Sequence, residues 1–71
     1  MLVSDTVLAI KVKRALQVSA DLEGCDLRVF AQDGVVTLEG TVPDANLKVQ
    51  AGDLAESVFG VEEVDNRLTV A

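Results

Sequence analysis

The chain has 71 residues, of which 49% are apolar, 25% charged and 3% aromatic, with a net charge of −6. That is room for one domain with a thin core. Its longest apolar runs, such as Val7–Ile10, fall far short of the roughly 20 residues that a membrane-spanning helix needs. With no His, Trp or Tyr and a single cysteine, a Ser–His–Asp or Cys–His nucleophile, an internal disulfide and a thiolate zinc site are all excluded.

The charge is unevenly spread. Residues 1–19 carry Lys11, Lys13 and Arg14 against Asp5, while residues 20–71 carry eleven acids against three bases. A domain of this balance has no general basic field for nucleic acid. Nor does its start have a signal-peptide pattern, because Asp5 stands where a basic region belongs and Lys11, Lys13 and Arg14 break any apolar core.

Ser4 or Asp5 is a natural N-cap, and residues 6–18 contain no Gly or Pro, so a helix is predicted there. Leu8, Val12, Ala15 and Leu16 share one side of it and should face a core. Residues 19–26 form a polar connection anchored by Leu22. Two alternating runs follow, Leu27–Gln32 and Val35–Val42, separated by Asp33-Gly34. Asp-Gly suits a two-residue type I′ turn, which needs positive φ at both positions. Counting outward from that turn places Val29 opposite Leu38, Phe30 opposite Thr37 and Arg28 opposite Glu39, the last as a cross-strand ion pair. It also sends Leu27, Val29, Ala31, Val36, Leu38 and Val42 inward. Arg28, Phe30, Val35, Thr37 and Glu39 then point the other way.

Asp44 after Pro43 is the N-cap expected for a second helix, with Gly60 as its stop and Leu47, Ala51, Leu54, Ala55 and Val58 as its apolar stripe. Gly52 inside that stripe costs about 1 kcal/mol relative to Ala unless close packing requires the missing side chain. A last strand runs from Val61 to Val70, with Val64, Leu68 and Val70 in phase. A helix joins the second and third strands, so these should be parallel. The predicted class is α+β, a two-layer sandwich in the order helix–strand–strand–helix–strand, with a three-stranded mixed sheet and both helices on one face. Whether the third strand lies beside the first or the second stays open.

The ordered set of patterns resembles the BON domain, a small module named for bacterial osmotic-shock and nodulation proteins. Ser4-Asp5 leading into Leu8, Val12 and Ala15-Leu16 resembles its first helix. Gly34-Val35-Val36-Thr37-Leu38-Glu39-Gly40-Thr41-Val42 resembles its central pattern with one extra residue, and Ala51 and Ala55 its second helix. Gly60-Val61 through Val64, Asn66, Leu68 and Val70 resembles its closing signature. The resemblance covers essentially the whole chain. It implies the same fold order and a non-catalytic module, one generally proposed to attach proteins to phospholipid membranes or to bind other ligands, often in tandem and in envelope proteins. It implies a bacterial envelope or periplasmic setting, and it supplies no catalytic residues and no cofactor.

Three surfaces are candidates. On the first helix, Val7, Ile10, Arg14 and Val18 fall away from the core stripe with Lys11 and Lys13 beside them, a surface suited to a phospholipid membrane or an acidic envelope partner. The open face of the sheet, with Phe30, Val35 and Thr37, suits assembly with a second copy or a neighbouring domain. The acids Asp21, Glu23 and Asp26, and Glu62, Glu63 and Asp65, lack the ligand order of a calcium loop and read as solvated loop acids. Backbone carbonyls could still hold a monovalent cation. Cys25 reads as an inert loop thiol.

Overall fold

In the computed structural model, which describes residues 4–71, the elements are α1 (Asp5–Gln17), a short 3₁₀ turn (Ala20–Leu22), β1 (Leu27–Gln32), β2 (Val35–Val42), α2 (Ala45–Glu56), β3 (Glu63–Asn66) and β4 (Thr69–Val70). The class and the order are as predicted. Ser4 is the cap of α1, its Oγ accepting from the Val7 amide at 3.2 Å. Asp44 caps α2, its Oδ1 accepting from the Leu47 amide at 2.9 Å. Both side chains satisfy amides that the first helical turn leaves without partners.

Asp33 and Gly34 have φ of 52° and 83°, as the primed turn demands. The strands pair antiparallel in the counted register, Arg28 with Glu39, Val29 with Leu38 and Phe30 with Thr37. The ion pair inferred from that register does not form. Arg28 instead lies 3.8 Å from Asp26, with both side chains largely in water. Two residues apart on one side of an extended chain, these side chains meet without reaching across the sheet.

The sheet order is β1-β2-β3, which places the last strand beside the second, and both β3 and β4 run parallel to β2. The single predicted strand is thus two short ones. The break falls at Arg67–Leu68, where the Leu68 amide donates to Asn66 Oδ1 at 3.3 Å. Across the break the register is unchanged, Leu38 facing Asn66 and Thr41 facing Thr69. Val70, expected inward, is exposed, although its β2 partner Val42 is buried. α2 also ends earlier than Gly60 suggested. It stops at Glu56, and the Ser57 hydroxyl donates to the Leu54 carbonyl at 2.7 Å, closing the last turn.

The core is one cluster. Leu8, Val12 and Leu16 of α1, Leu22, Val36, Leu38 and Val42 of β2, Ala51 and Ala55 of α2, and Leu68 are all buried. α1 packs on β1, and α2 on β2 and β3. Small residues on α2 let that helix lie close to the sheet.

Two glycines are required by their surroundings. Gly40 has φ of 132°, and a Cβ there would strike the Asp26 carbonyl just before β1. Gly52 leaves room for Asn66, whose Nδ2 donates to the Lys48 carbonyl at 2.8 Å and lies 2.8 Å from where a Cβ at position 52 would be. Asn66 therefore ties β3 to the backbone of α2 through the gap that Gly52 opens. From this coupling, Gly52→Ala alone should destabilise the fold, because the Asn66 hydrogen bond must break. In an Asn66→Ala background the same change should stabilise it by about 1 kcal/mol, the helix propensity of Ala over Gly. A double-mutant cycle of denaturant melts measures both signs.

Candidate functional site

α1 is held at both ends. At its start, the Asp5 carboxylate accepts the Asp33 amide of the hairpin turn at 3.0 Å. At the other end, Gln50 of α2 reaches Ser19 and Asp21 in the following loop, each at 3.2 Å. Its buried stripe, Leu8, Val12 and Leu16, recurs at every fourth residue, so the opposite side of the helix faces water. There the structure leaves Val7, Ile10 and Val18 exposed, Ile10 by 60% and Val18 by 78%, and Lys11, Lys13 and Arg14 are exposed as well. The four residues singled out from sequence, Val7, Ile10, Lys11 and Arg14, are therefore all on the outside of one helix, presenting apolar and cationic groups together.

The open sheet face is the second surface. Phe30, Val35 and Thr37 line one shallow basin of about 530 Å³ with Ala31, Gln32 and Asp33. Phe30 is 52% exposed, whereas Val35 and Thr37 are half-buried. Because Phe30 belongs to the edge strand, it also lines a groove of about 430 Å³ between β1 and α1, with Ala9, Ile10 and Lys13 opposite. So the two candidate surfaces meet at Ile10 and Phe30, a proximity that no sequence pattern signals.

Two exposed apolar residues escaped the sequence analysis. Val49 lies on the outer side of α2, and Phe59, 81% exposed, lies in the turn after it. The early end of α2 puts Phe59 outside the helix, so the apolar stripe gives no clue to its position. That turn leads to Glu62 and Glu63, whose amides both donate to the Gly34 carbonyl, at 2.9 and 3.3 Å. The Phe59 end of the molecule thus carries Asp5, Asp33, Glu62 and Glu63, an acidic pole distant from Arg14 on α1.

Among the described residues no three acidic or sulfur-bearing side chains gather as metal ligands. Asp21, Glu23, Asp26, Glu62 and Glu63 are exposed, but Glu63 and Asp65 belong to β3 and not to a loop. The half-buried Asp65 accepts from Arg67 Nε at 2.8 Å. Cys25 is a half-buried free thiol against the core. No helix among the described residues is long and apolar enough to cross a membrane.

The family model that matches the chain is the BON domain, over residues 4–71. A curated relative, the outer membrane lipoprotein DolP of Haemophilus influenzae, is 36% identical over 70 residues. That alignment covers 97% of this chain and 36% of the relative, so the chain spans about a third of the relative's length.

Phe59 is almost wholly in water, so replacing it with a polar residue should change stability by no more than about 0.5 kcal/mol. Ile10 and Phe30, each with nearly half the side chain covered, should instead lose about 1–2 kcal/mol. Thermal melts of Ile10→Glu, Phe30→Ser and Phe59→Ser check this, and a loss at Phe59 as large as at Phe30 would mean that Phe59 is packed in solution.

Proposed function

The chain belongs to the BON domain family, and from that membership we propose that it is a non-catalytic, envelope-associated binding module that docks on anionic phospholipid surfaces through α1. The observation that carries the reading is the outer side of that helix, where Val7, Ile10 and Val18 stand in water beside Lys11 and Arg14. Such a helix can lower its apolar side chains into the headgroup boundary while its cations meet lipid phosphates. The acidic pole at Phe59 is repelled by the same surface, which favours an orientation with that end turned away. The DolP relative, by its name an outer membrane lipoprotein, supports an envelope setting for this chain.

The strength of the attachment follows from charge. Three basic residues supply at most about 3 kcal/mol near an anionic surface, and the acidic remainder opposes them. Binding by one such domain should be weak and strongly salt-dependent, as suits a module that works beside a second anchor or a second module. Vesicle co-sedimentation tests this. Wild type should pellet with anionic vesicles at low salt and with neutral ones hardly at all. Moderate salt should reduce the bound fraction, and Ile10→Glu/Arg14→Glu should abolish it. Equal binding to both lipids, or none at low salt, defeats the proposal.

A second reading is favoured by the basin on the open sheet face. Phe30 and Val35 line it together with the polar Thr37, and a neighbouring domain or a second copy seated on it would shield the Phe30 ring. If the partner is a second copy, the mass in solution should rise with concentration above 7.5 kDa and Phe30→Ser should hold it at that value, as read by sedimentation equilibrium.

A further inference from the structure

The backbone edge of the sheet is a feature that neither reading uses, although the groove beside it shares Ile10 and Lys13 with the proposed lipid-facing side of α1. β1 is an edge strand, paired with β2 on one side only. In a hairpin closed by a two-residue turn, Gln32 and Val35 are a hydrogen-bonded pair, and pairing alternates outward from it. The backbone N–H and C=O groups of Arg28, Phe30 and Gln32 thus point to β2, and those of Leu27, Val29 and Ala31 point away from the sheet. An extended backbone placed along this edge would pair with the latter three.

The groove between β1 and α1 decides what such a strand would carry. Its helical wall presents Asp5, Ala9 and Lys13, one residue per turn along one side, with Thr6 and Ile10 beside them. These three side chains span about 12 Å at 1.5 Å per residue. Four steps of a strand cover nearly the same length, about 13 Å. The wall is acidic at the hairpin end, apolar and shallow in the middle, where Ala9 makes room, and basic at the other end. A complementary strand would show a basic, an apolar and an acidic side chain at alternate positions.

The occupant cannot be a second copy joined through its own β1. α1 lies over β1, and two packed helices need 8–10 Å between their axes. Adjacent strands lie only about 4.8 Å apart. A copy paired edge to edge would drive its α1 into this one. We infer that the β1 edge and the Asp5–Ala9–Lys13 wall form a docking site for an extended peptide segment of a partner protein. The segment runs antiparallel to β1, with the pattern basic, any residue, apolar, any residue, acidic. Because β1 ends near Asp5 and begins near Lys13, the basic residue comes first in this direction.

The test uses two synthetic peptides and no lipid, so its outcome is independent of the vesicle experiment. One is acetyl-Thr-Lys-Thr-Val-Thr-Glu-Thr-amide, and the other exchanges its Lys and Glu. Titrated into the isotope-labelled protein at millimolar concentration, the first should shift the amides of Leu27, Val29 and Ala31 and slow their hydrogen exchange about tenfold. The exchanged peptide should bind at least about fivefold more weakly, and Lys13→Glu should weaken the first peptide to a similar degree. Lys13 is exposed, so that variant keeps the fold. Absence of shifts at millimolar peptide, equal binding of the two peptides, or shifts centred on the open sheet face or Phe59 would each overturn the inference. So would protection of the β1 edge by self-association without peptide.

Discussion

The Asp33-Gly34 turn is the point on which the rest of the molecule depends. Two residues in the left-handed region leave only one way to pair the flanking strands. A slip by one residue would turn Val29, Val36 and Leu38 out to water and bring Phe30 and Arg28 into the core. The same turn gathers the other segments. Its first amide is held by Asp5 of α1, and its Gly34 carbonyl receives the amides of Glu62 and Glu63 at the start of β3. One end of the molecule is therefore cross-tied through three hydrogen bonds, and that end is the acidic one.

From that register follows the sidedness that makes the surface interesting. Two helices supply enough apolar area to cover one face of a small sheet and none for the other. α1 sits over the edge strand and α2 over the remaining strands, so the sheet keeps an open face at Phe30, an open edge at β1, and a helix whose outer side carries half the basic residues of the chain. A single short chain thus presents a ridge of apolar and basic side chains on α1 and an open strand edge at β1 next to one another, with Ile10 lining the groove between them. A membrane-docked domain could keep the β1 edge at the rim of the contact and hold a partner strand close to the bilayer. The weakness of the proposed attachment is compatible with function, because linkage to other modules multiplies weak contacts into a stable assembly.

Polar side chains set the finer geometry. Asn66 satisfies the Leu68 amide and a carbonyl of α2 at once, and it occupies the space that Gly52 leaves open. A residue that looks like a routine strand asparagine is in fact the bolt between α2 and the sheet. Gln50 does similar work between α2 and the loop after α1. Neither is visible as a pair in sequence, because the partners lie 18 to 31 positions apart.

Local signals in the sequence determined the two helices and their caps, the turn, the register of the hairpin, the inward and outward faces of both its strands, and the lack of catalytic histidine chemistry. Each depends on residues within a turn or two of one another, where spacing and capping chemistry act directly. Val7, Ile10, Lys11 and Arg14 were legible as an outer helix side for the same reason, and Phe30, Val35 and Thr37 as an outward strand face. Tertiary structure alone decided what lies beside what. It seated the last strand against β2, sent Arg28 to Asp26 in place of Glu39, ended α2 at Glu56 and so freed Phe59, and set α1 over β1 to bring Ile10 against Phe30. The seating of the last strand and of α1 rests on contacts between segments far apart in the chain, which no local pattern encodes, while the Arg28–Asp26 pairing and the end of α2 at Ser57 are short-range choices between competing partners.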